Sequence, residues 1–465
     1  MNDAPDLSLA AALAAVLGAE GVHAGADMQE KHFSDWVVKP PADVRPQAVV
    51  FPRSTEEVVA ILRLCSAHGV PVVPQGGLTG LAGGGAPVAD CVALSLSRMR
   101  AIEEVDTAAG TMTVQAGVPL QSVQEAADAA GLLFPLDIGS RGSCLIGGNV
   151  STNAGGNRVL RYGMTRELVL GMEVVLADGT VITSLNKMLK NNAGYDLKHM
   201  FIGSEGTLGV ITRLVLRLFP KPASVCTAFV ALPDYAAVLD LLARARRDLG
   251  GTLAAFEVLW PEFYVLATTE HGCRPPVGQN HGIYVLMESM GTDQQRDTAA
   301  FQRMIEDALE AGVVEDAAMA QSGRETRDMW AIRDSVDQFN RTFDPHVGFD
   351  VSIPIGDMQA FVDDALAHLR VADPGVRALW FGHIADSNLH LCIKQTKGVL
   401  TKKEVDAIVY ARVRHFAGSV SAEHGIGSLK KPYLGHSRTP AEIDVMRRVK
   451  AALDPAGILN PGKIF

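Results

Sequence analysis

The stretch GHIADSNLHL, residues 382–391, holds two histidines seven positions apart, His383 and His390. The β-rich pieces LWFGH and LHLCI flank IADSN, so a tight turn at Asp386-Ser387 is expected to pair Ile384 with Leu389 and then His383 with His390. Directly opposed cross-strand residues have Cβ atoms about 4.5–5.5 Å apart. That separation suits two imidazoles meeting one cation at about 2.0–2.1 Å each. The structural alternative is a pair of satisfied strand histidines with no ligand to share. SAEHG, residues 421–425, offers Glu423 as a third ligand and His424 as a titratable neighbour. A His/His/carboxylate set with an open position is a catalytic arrangement, not a closed structural one. Spacing alone does not join the two stretches, because Glu423 stands 33 positions after His390.

Glycine marks a second chemistry. PQGGLTGLAGGG (Pro74 to Gly85) and PLDIGSRGSCLIGGNVSTNAGGNR (Pro135 to Arg158) concentrate it behind expected strands. Such runs let backbone N–H groups converge on an anion, since glycine permits positive φ and close approach; flexible surface loops are the plainer reading. A Rossmann site needs GxGxxG after the first strand, and the chain has none. The nearest approach to a phosphate-binding P-loop, GILNPGKI at 457–464, has Ile464 in place of Ser or Thr and no helix after it. A pyrophosphate cradle of another architecture remains.

These segments need a scaffold. From Val49 strands and helices alternate: AVVFP, then a helix opened by Ser54 and Glu57 and closed at Gly69, then VPVVP. Further strands are expected at CVALSL, TMTVQAG, LVLGMEVVLADGTVI (with a hairpin at Asp178-Gly179) and GVITRLVLRLFP. After Pro220-Lys221-Pro222 glycine thins out and long amphipathic helices appear, such as YAAVLDLLARARRDLG. The expected division is a helical segment at 1–45, a glycine-rich domain at 46–222, a second α+β domain at 223–415, and a C-terminal stretch at 416–465 that returns to the first style.

Composition removes several classes. With 465 residues, 48% of them hydrophobic and 20% charged, the chain is long enough for two or three domains with filled interiors. Its 52 acidic against 42 basic side chains, with no basic cluster, disfavour nucleic acid as a partner. The six cysteines form no CxxC pair, so reduced thiols in the cytoplasm are expected. The apolar run Leu9 to Leu17 follows Asp3 and Asp6, not a basic region, and reads as an Ala-rich helix starting near Ser8. No apolar stretch of about 18 residues suggests a membrane span.

The strings PQGGLTGLAGG, PLDIGSRGSCLIGGNVSTNAGG, LRYGMTRELVLGMEVVLADGTV and NNAGYDLKHMFIGSEGTLGVIT resemble the FAD-binding domain of the vanillyl-alcohol oxidase / p-cresol methylhydroxylase superfamily. Within it the chain is most similar to the D-2-hydroxyglutarate and D-lactate dehydrogenases, from about Pro46 onward. The resemblance implies an α+β fold: two subdomains holding non-covalent FAD, with a cap domain over the isoalloxazine. It implies that Pro74, Gly76, Gly77, Leu78, Thr79 and Gly80 wrap the pyrophosphate. Pro135, Ser143, Gly147, Gly148, Asn149, Asn153 and Gly155 would line the FAD from the other side. Glu205, Gly206 and Ile211 would sit near the adenosine end, and Asn460 would approach the flavin from the C-terminus. It also implies that His383, His390 and Glu423 converge on a divalent metal beside the flavin, with zinc the expected ion and manganese or cobalt able to replace it.

The chemistry fits these groups. Oxidising a 2-hydroxy acid removes a hydroxyl proton and a Cα hydride. A cation chelated by the substrate lowers the hydroxyl pKa, His424 can take the proton, and the hydride goes to flavin N5 because no side chain accepts it. Arg333, in WAIRDSV, is the expected partner of a substrate carboxylate. Departures from the 2-hydroxyglutarate pattern concern the rest of the pocket: Leu78 stands for Asn, Ala385 and Ser387 for Gly, Gly348 for a Lys that would bind a distal carboxylate, Asp337 for Thr, and Cys392 for Asn. Arg327 or Arg341 could replace that lysine. Electron-transfer flavoprotein, a quinone or a cytochrome is the expected electron acceptor, and a homodimer is compatible. The alternatives are a non-catalytic FAD-binding subunit of a larger oxidoreductase, or a metallohydrolase using the His/His/Glu set.

Overall fold

The computed structural model describes residues 8–465. The chain folds into two compact units. The first takes the chain up to Gly155, then Met164–Lys221 and Glu423–Phe465; the second takes Gly156–Gly163 and Pro222–Ala422.

Local chemistry starts the elements of the first unit. Ser8 caps the helix Leu9–Leu17 by accepting from the Ala11 amide, and Ser54 caps Thr55–Ala67 by accepting from the Glu57 amide. The strands β1 (Val22–Ala24), β2 (Ala48–Val50), β3 (Val72–Gln75) and β4 (Val92–Ser95) form one sheet in the order β1-β2-β4-β3, parallel except for β1. Then come β5 (Ile102–Asp106), β6 (Thr111–Gln115), the short β7 (Leu132–Leu133), β8 (Val169–Val175), β9 (Val181–Ser184), β10 (Val210–Arg217) and β11 (Phe219–Pro220). Five of these make an antiparallel sheet in the order β5-β6-β10-β8-β9, and β7 pairs with β11. Asp178-Gly179 forms the β8–β9 hairpin, with Gly179 at φ 80° where a side chain would be strained.

The second unit is built on one antiparallel sheet of β12 (Ser224–Leu232), β13 (Leu253–Leu259), β14 (Ile283–Gly291), β15 (Asp316–Met319), β16 (Val347–Ser352), β17 (Arg377–His383) and β18 (Asn388–Lys394). Their order is β15-β12-β14-β13-β17-β18-β16. Residues β13 and β14 contribute are buried at every position, so each charge they carry needs a partner. Phe229, Leu259, Tyr284, Leu286, Leu379 and Phe381 share one face by register and pack with Phe263, Tyr264, Met329, Ile332, Phe339 and Phe343. This aromatic core holds the helix Gly323–Arg333 through Met329 and Ile332.

Candidate functional site

On that same face a polar row crosses the sheet: Glu288 on β14, Glu257 on β13, His383 on β17, His390 on β18 and Asp350 on β16. Glu257 pairs directly with His383, and Asp350 pairs directly with His390.

The hairpin between the histidines corrects the expected register. Ile384–Asp386 form a turn of 3-10 helix, Ser387 takes φ 74°, and the Ser387 N–H bonds to the Ile384 carbonyl at 3.0 Å. The longer connection shifts the pairing, so His390 lies opposite Phe381 and not opposite His383. Ile384 and Leu389 do not pair. The histidines become diagonal neighbours on one face, with ring centroids 5.3 Å apart at 82°. Diagonal neighbours remain within reach of long or aromatic side chains.

Each histidine is flanked by a buried carboxylate. His383 Nδ1 meets Glu257 Oε1 in a short hydrogen bond, and His390 Nδ1 lies 3.8 Å from Asp350 Oδ1. Arg333, at the end of its helix, donates from Nε to Glu257 Oε2 at 3.0 Å and reaches His383 Nε2 with Nη2 at 3.1 Å. Its guanidinium also lies 5.7 Å from the Phe381 ring centroid, so it is no solvated surface charge. Burial pushes the Glu257 carboxyl up, but His383 and Arg333 beside it more than reverse this and hold it at about 2. Sequence reasoning missed Glu257. Its signal was a lone charge in LAAFEVL, a strand otherwise apolar throughout.

The chain leaves this unit beside the row. Ser352 and Ser419 exchange backbone hydrogen bonds of 3.0 and 2.8 Å, and the Ala422 amide donates to Asp350 Oδ2 at 3.2 Å. Glu423 and His424 follow at once in sequence. Gly348 and Cys392 pair with each other on the same face, two residues along their strands from Asp350 and His390. Arg327, Arg341, Asp337 and Gly348 are exposed, while Cys392 is buried on the strand facing Gly348.

In the first unit the two glycine clusters approach each other closely. A Cβ on Gly77 would lie 2.0 Å from the Ser143 carbonyl oxygen, and one on Gly76 would lie 3.6 Å from Gly148 Cα. Gly147 backs onto Ala116, and Gly155 leaves no room between itself and the Glu423 carboxylate. Gly206 packs on Pro74, and Pro135 and Ile211 are buried. Leu78, Asn153, Glu205 and Asn460 all take positive φ, between 41° and 58°. Such strain concentrates where a ligand dictates the backbone. Glu205 accepts the amides of Ile426 and Gly427 at 2.7 and 2.8 Å, and Asn460 Nδ2 donates to the carbonyls of Gly84 and Glu205. The Asn149 and Asn460 side-chain oxygens are buried without a hydrogen-bond partner. Two orphaned acceptors beside a glycine-lined cradle fit a dinucleotide. Thr79 and Gly80 continue that loop, and Asn153 Oδ1 accepts from the Arg166 amide.

The family described as FAD binding domain matches residues 46–184, and FAD linked oxidases, C-terminal domain, matches residues 221–464. A D-2-hydroxyglutarate dehydrogenase of Xanthomonas citri is 40% identical over 428 residues, covering 90% of this chain and 89% of the relative. The mitochondrial D-2-hydroxyglutarate dehydrogenase of Bos taurus is 41% identical over 415 residues, 89% of this chain and 76% of the relative. A putative mitochondrial D-lactate dehydrogenase of Schizosaccharomyces pombe is 37% identical over 429 residues, 90% of this chain and 82% of the relative. Among solved structures, substrate-bound p-cresol methylhydroxylase has a TM-score of 0.75 at 16% identity, covering 98% of this chain and 96% of its own. For 4-ethylphenol oxidase from Gulosibacter chungangensis the TM-score is 0.76 at 20% identity, with coverage of 98% and 96%. Among the described residues no helix is long and apolar enough to cross a membrane. The chain belongs to the FAD-linked oxidases and is an FAD-dependent dehydrogenase with the α+β fold of p-cresol methylhydroxylase.

Proposed function

We propose that the chain oxidises a D-2-hydroxy acid to the 2-oxo acid, with D-2-hydroxyglutarate and D-lactate the two substrates to compare first. The observation that carries this reading is the polar row of the second unit. Two histidines backed by buried carboxylates stand beside an arginine held against one of them. The names of the similar dehydrogenases support the substrate class.

In this reading His383, His390 and Glu423 hold a divalent metal, which supplies Lewis acidity toward the substrate hydroxyl. The donor set suits zinc, and manganese or cobalt can replace it. FAD, when bound along Gly76–Gly80 and Ser143–Gly155, supplies the acceptor of the Cα hydride. Arg333 pairs with the substrate carboxylate and so orients Cα. The His424 imidazole takes the hydroxyl proton on a ring nitrogen. Phe381, 5.1 Å from the His390 ring, keeps apolar surface against the site. Electron-transfer flavoprotein, a quinone or a cytochrome then reoxidises the enzyme.

The test is an anaerobic titration of the yellow protein with single D-2-hydroxy acids. Bleaching by one of them, lost after chelation and lost in His390→Ala, is the expected result. Bleaching that survives both treatments would remove the metal from the mechanism. If no D-2-hydroxy acid bleaches the flavin, the substrate class is wrong.

A further inference from the structure

The contacts of Glu257 give it a more specific duty than charge balance, resting on the reading of His383 as a metal ligand and Arg333 as the substrate's partner. We infer that Glu257 is a positioning residue that sets which nitrogen of His383 faces the site and fixes Arg333 beside it.

A guanidinium has N–H donors and no acceptor. Arg333 Nη2 lies 3.1 Å from His383 Nε2, so Nε2 is the bare, accepting nitrogen. The ring proton therefore sits on Nδ1 and is donated to Glu257 Oε1. The other carboxylate oxygen, Oε2, takes the Arg333 Nε proton at 3.0 Å. One carboxylate thus spends each oxygen on a different partner. It keeps the ring proton on Nδ1, so the Nε2 lone pair of His383, which meets Arg333 Nη2 in this structure, is the one that could pass to a metal. It also grips Arg333 by Nε alone, leaving the two terminal nitrogens able to exchange His383 for a carboxylate.

Glu257 is 1% exposed and sits in direct register with His383, so backbone pairing sets its reach. An aspartate is one methylene shorter and cannot span both partners from that register. A glutamine presents an N–H₂ to one of two donors, which breaks one contact or forces His383 into the other tautomer. No metal-binding role is needed for Glu257 itself.

The experiment titrates Zn2+ calorimetrically into chelator-treated, flavin-loaded protein, comparing wild type with Glu257→Gln. The expected result is a tenfold to hundredfold weaker Zn2+ affinity, about the range for losing a ligand's outer partner, together with a raised KM and an unchanged flavin spectrum. Equal Zn2+ affinity in the two proteins overturns the inference. Wild type that takes up no Zn2+ overturns the ligand reading beneath it, so the two failures are distinct. Should the glutamine variant not fold, Glu257→Asp gives the same comparison: it keeps the charge, and retained affinity there sinks the inference equally.

Discussion

Gly348 lies two residues before Asp350 on the same face of β16, about 7 Å along the strand. The resemblance to the D-2-hydroxyglutarate dehydrogenases puts at this position a lysine that would bind the second carboxylate of a five-carbon diacid. A Cβ built on Gly348 meets nothing within 4 Å, so a long side chain enters without displacing its neighbours. Gly348→Lys is therefore expected to raise kcat/KM for D-2-hydroxyglutarate relative to D-lactate by about tenfold or more, the scale of one charge-assisted hydrogen bond. Steady-state rates on the two acids check it; an unchanged ratio would place the distal end of the substrate elsewhere. Other departures read differently. Leu78 and Ser387 hold φ of 58° and 74°, a region that Asn and Gly enter easily and branched or bulky residues resist. Both stand where the resembling family has Asn or Gly, so this chain keeps the backbone shape and tolerates the strain.

At the scale of elements, the site depends on how closely β17 and β18 approach. A Cβ on Gly382 would lie 2.5 Å from the Asn388 carbonyl oxygen and 3.1 Å from Leu389 Cα. Backbone cannot yield there as a side-chain tip can, so Gly382→Ala must part the strands between His383 and His390. The expected outcome is a cost of about 1–3 kcal/mol, as for overpacking generally, with metal content and turnover lost while flavin content stays. Thermal melts, zinc analysis and the visible spectrum check the three parts. This hairpin also marks the limit of what sequence discloses. The strands LWFGH and LHLCI were legible from their alternation and β-branched or aromatic content, as was the helix opened by Ser54. The register was not, because it depends on whether four connecting residues make a two-residue turn or a 3-10 turn. Nothing in IADSN distinguishes the two. Glu257 was hidden for a related reason: its partner strand lies 126 positions away, and only the sheet order puts β13 beside β17. Histidine spacing and glycine runs can be seen along the chain, whereas partners across strands need the topology.

At the scale of the whole chain, the first unit is gathered from three stretches, and its N- and C-terminal pieces both end at the glycine loop. Asn460 N–H bonds to the Val72 carbonyl at 2.8 Å, and Lys463 Nζ donates to the Ala86 carbonyl at 3.0 Å. From the other end, His32 Nδ1 bonds Gln75 Oε1 at 2.8 Å, while Gln75 Nε2 donates to the carbonyls of His32 and Gly85. Gln75 Oε1 can only accept, so His32 Nδ1 carries a proton and the neutral ring already satisfies the contact. His32 Nε2 is buried with no partner, and protonating it would place a charge there. Burial lowers the His32 pKa, opposed by the Gln75 hydrogen bond and aided by Lys31 and His23. Below the ordinary value of 6.5 the unfolded chain takes up a proton that the folded one resists. Stability from this group is thus complete above pH about 6.5 and falls as acidity carries the solution toward the lowered folded value. Glu205 and Asp35, whose pKa values burial raises, change stability in the opposite direction as the pH falls, so a wild-type pH profile alone mixes the signs. His32→Asn keeps an N–H donor toward Gln75 and removes the titrating ring. The variant is expected to lose less melting temperature between pH 7 and pH 5 than wild type, and to keep its flavin further into acid. Melts followed by flavin fluorescence at both pH values decide it, and parallel losses in the two proteins would clear His32 of any part in acid release.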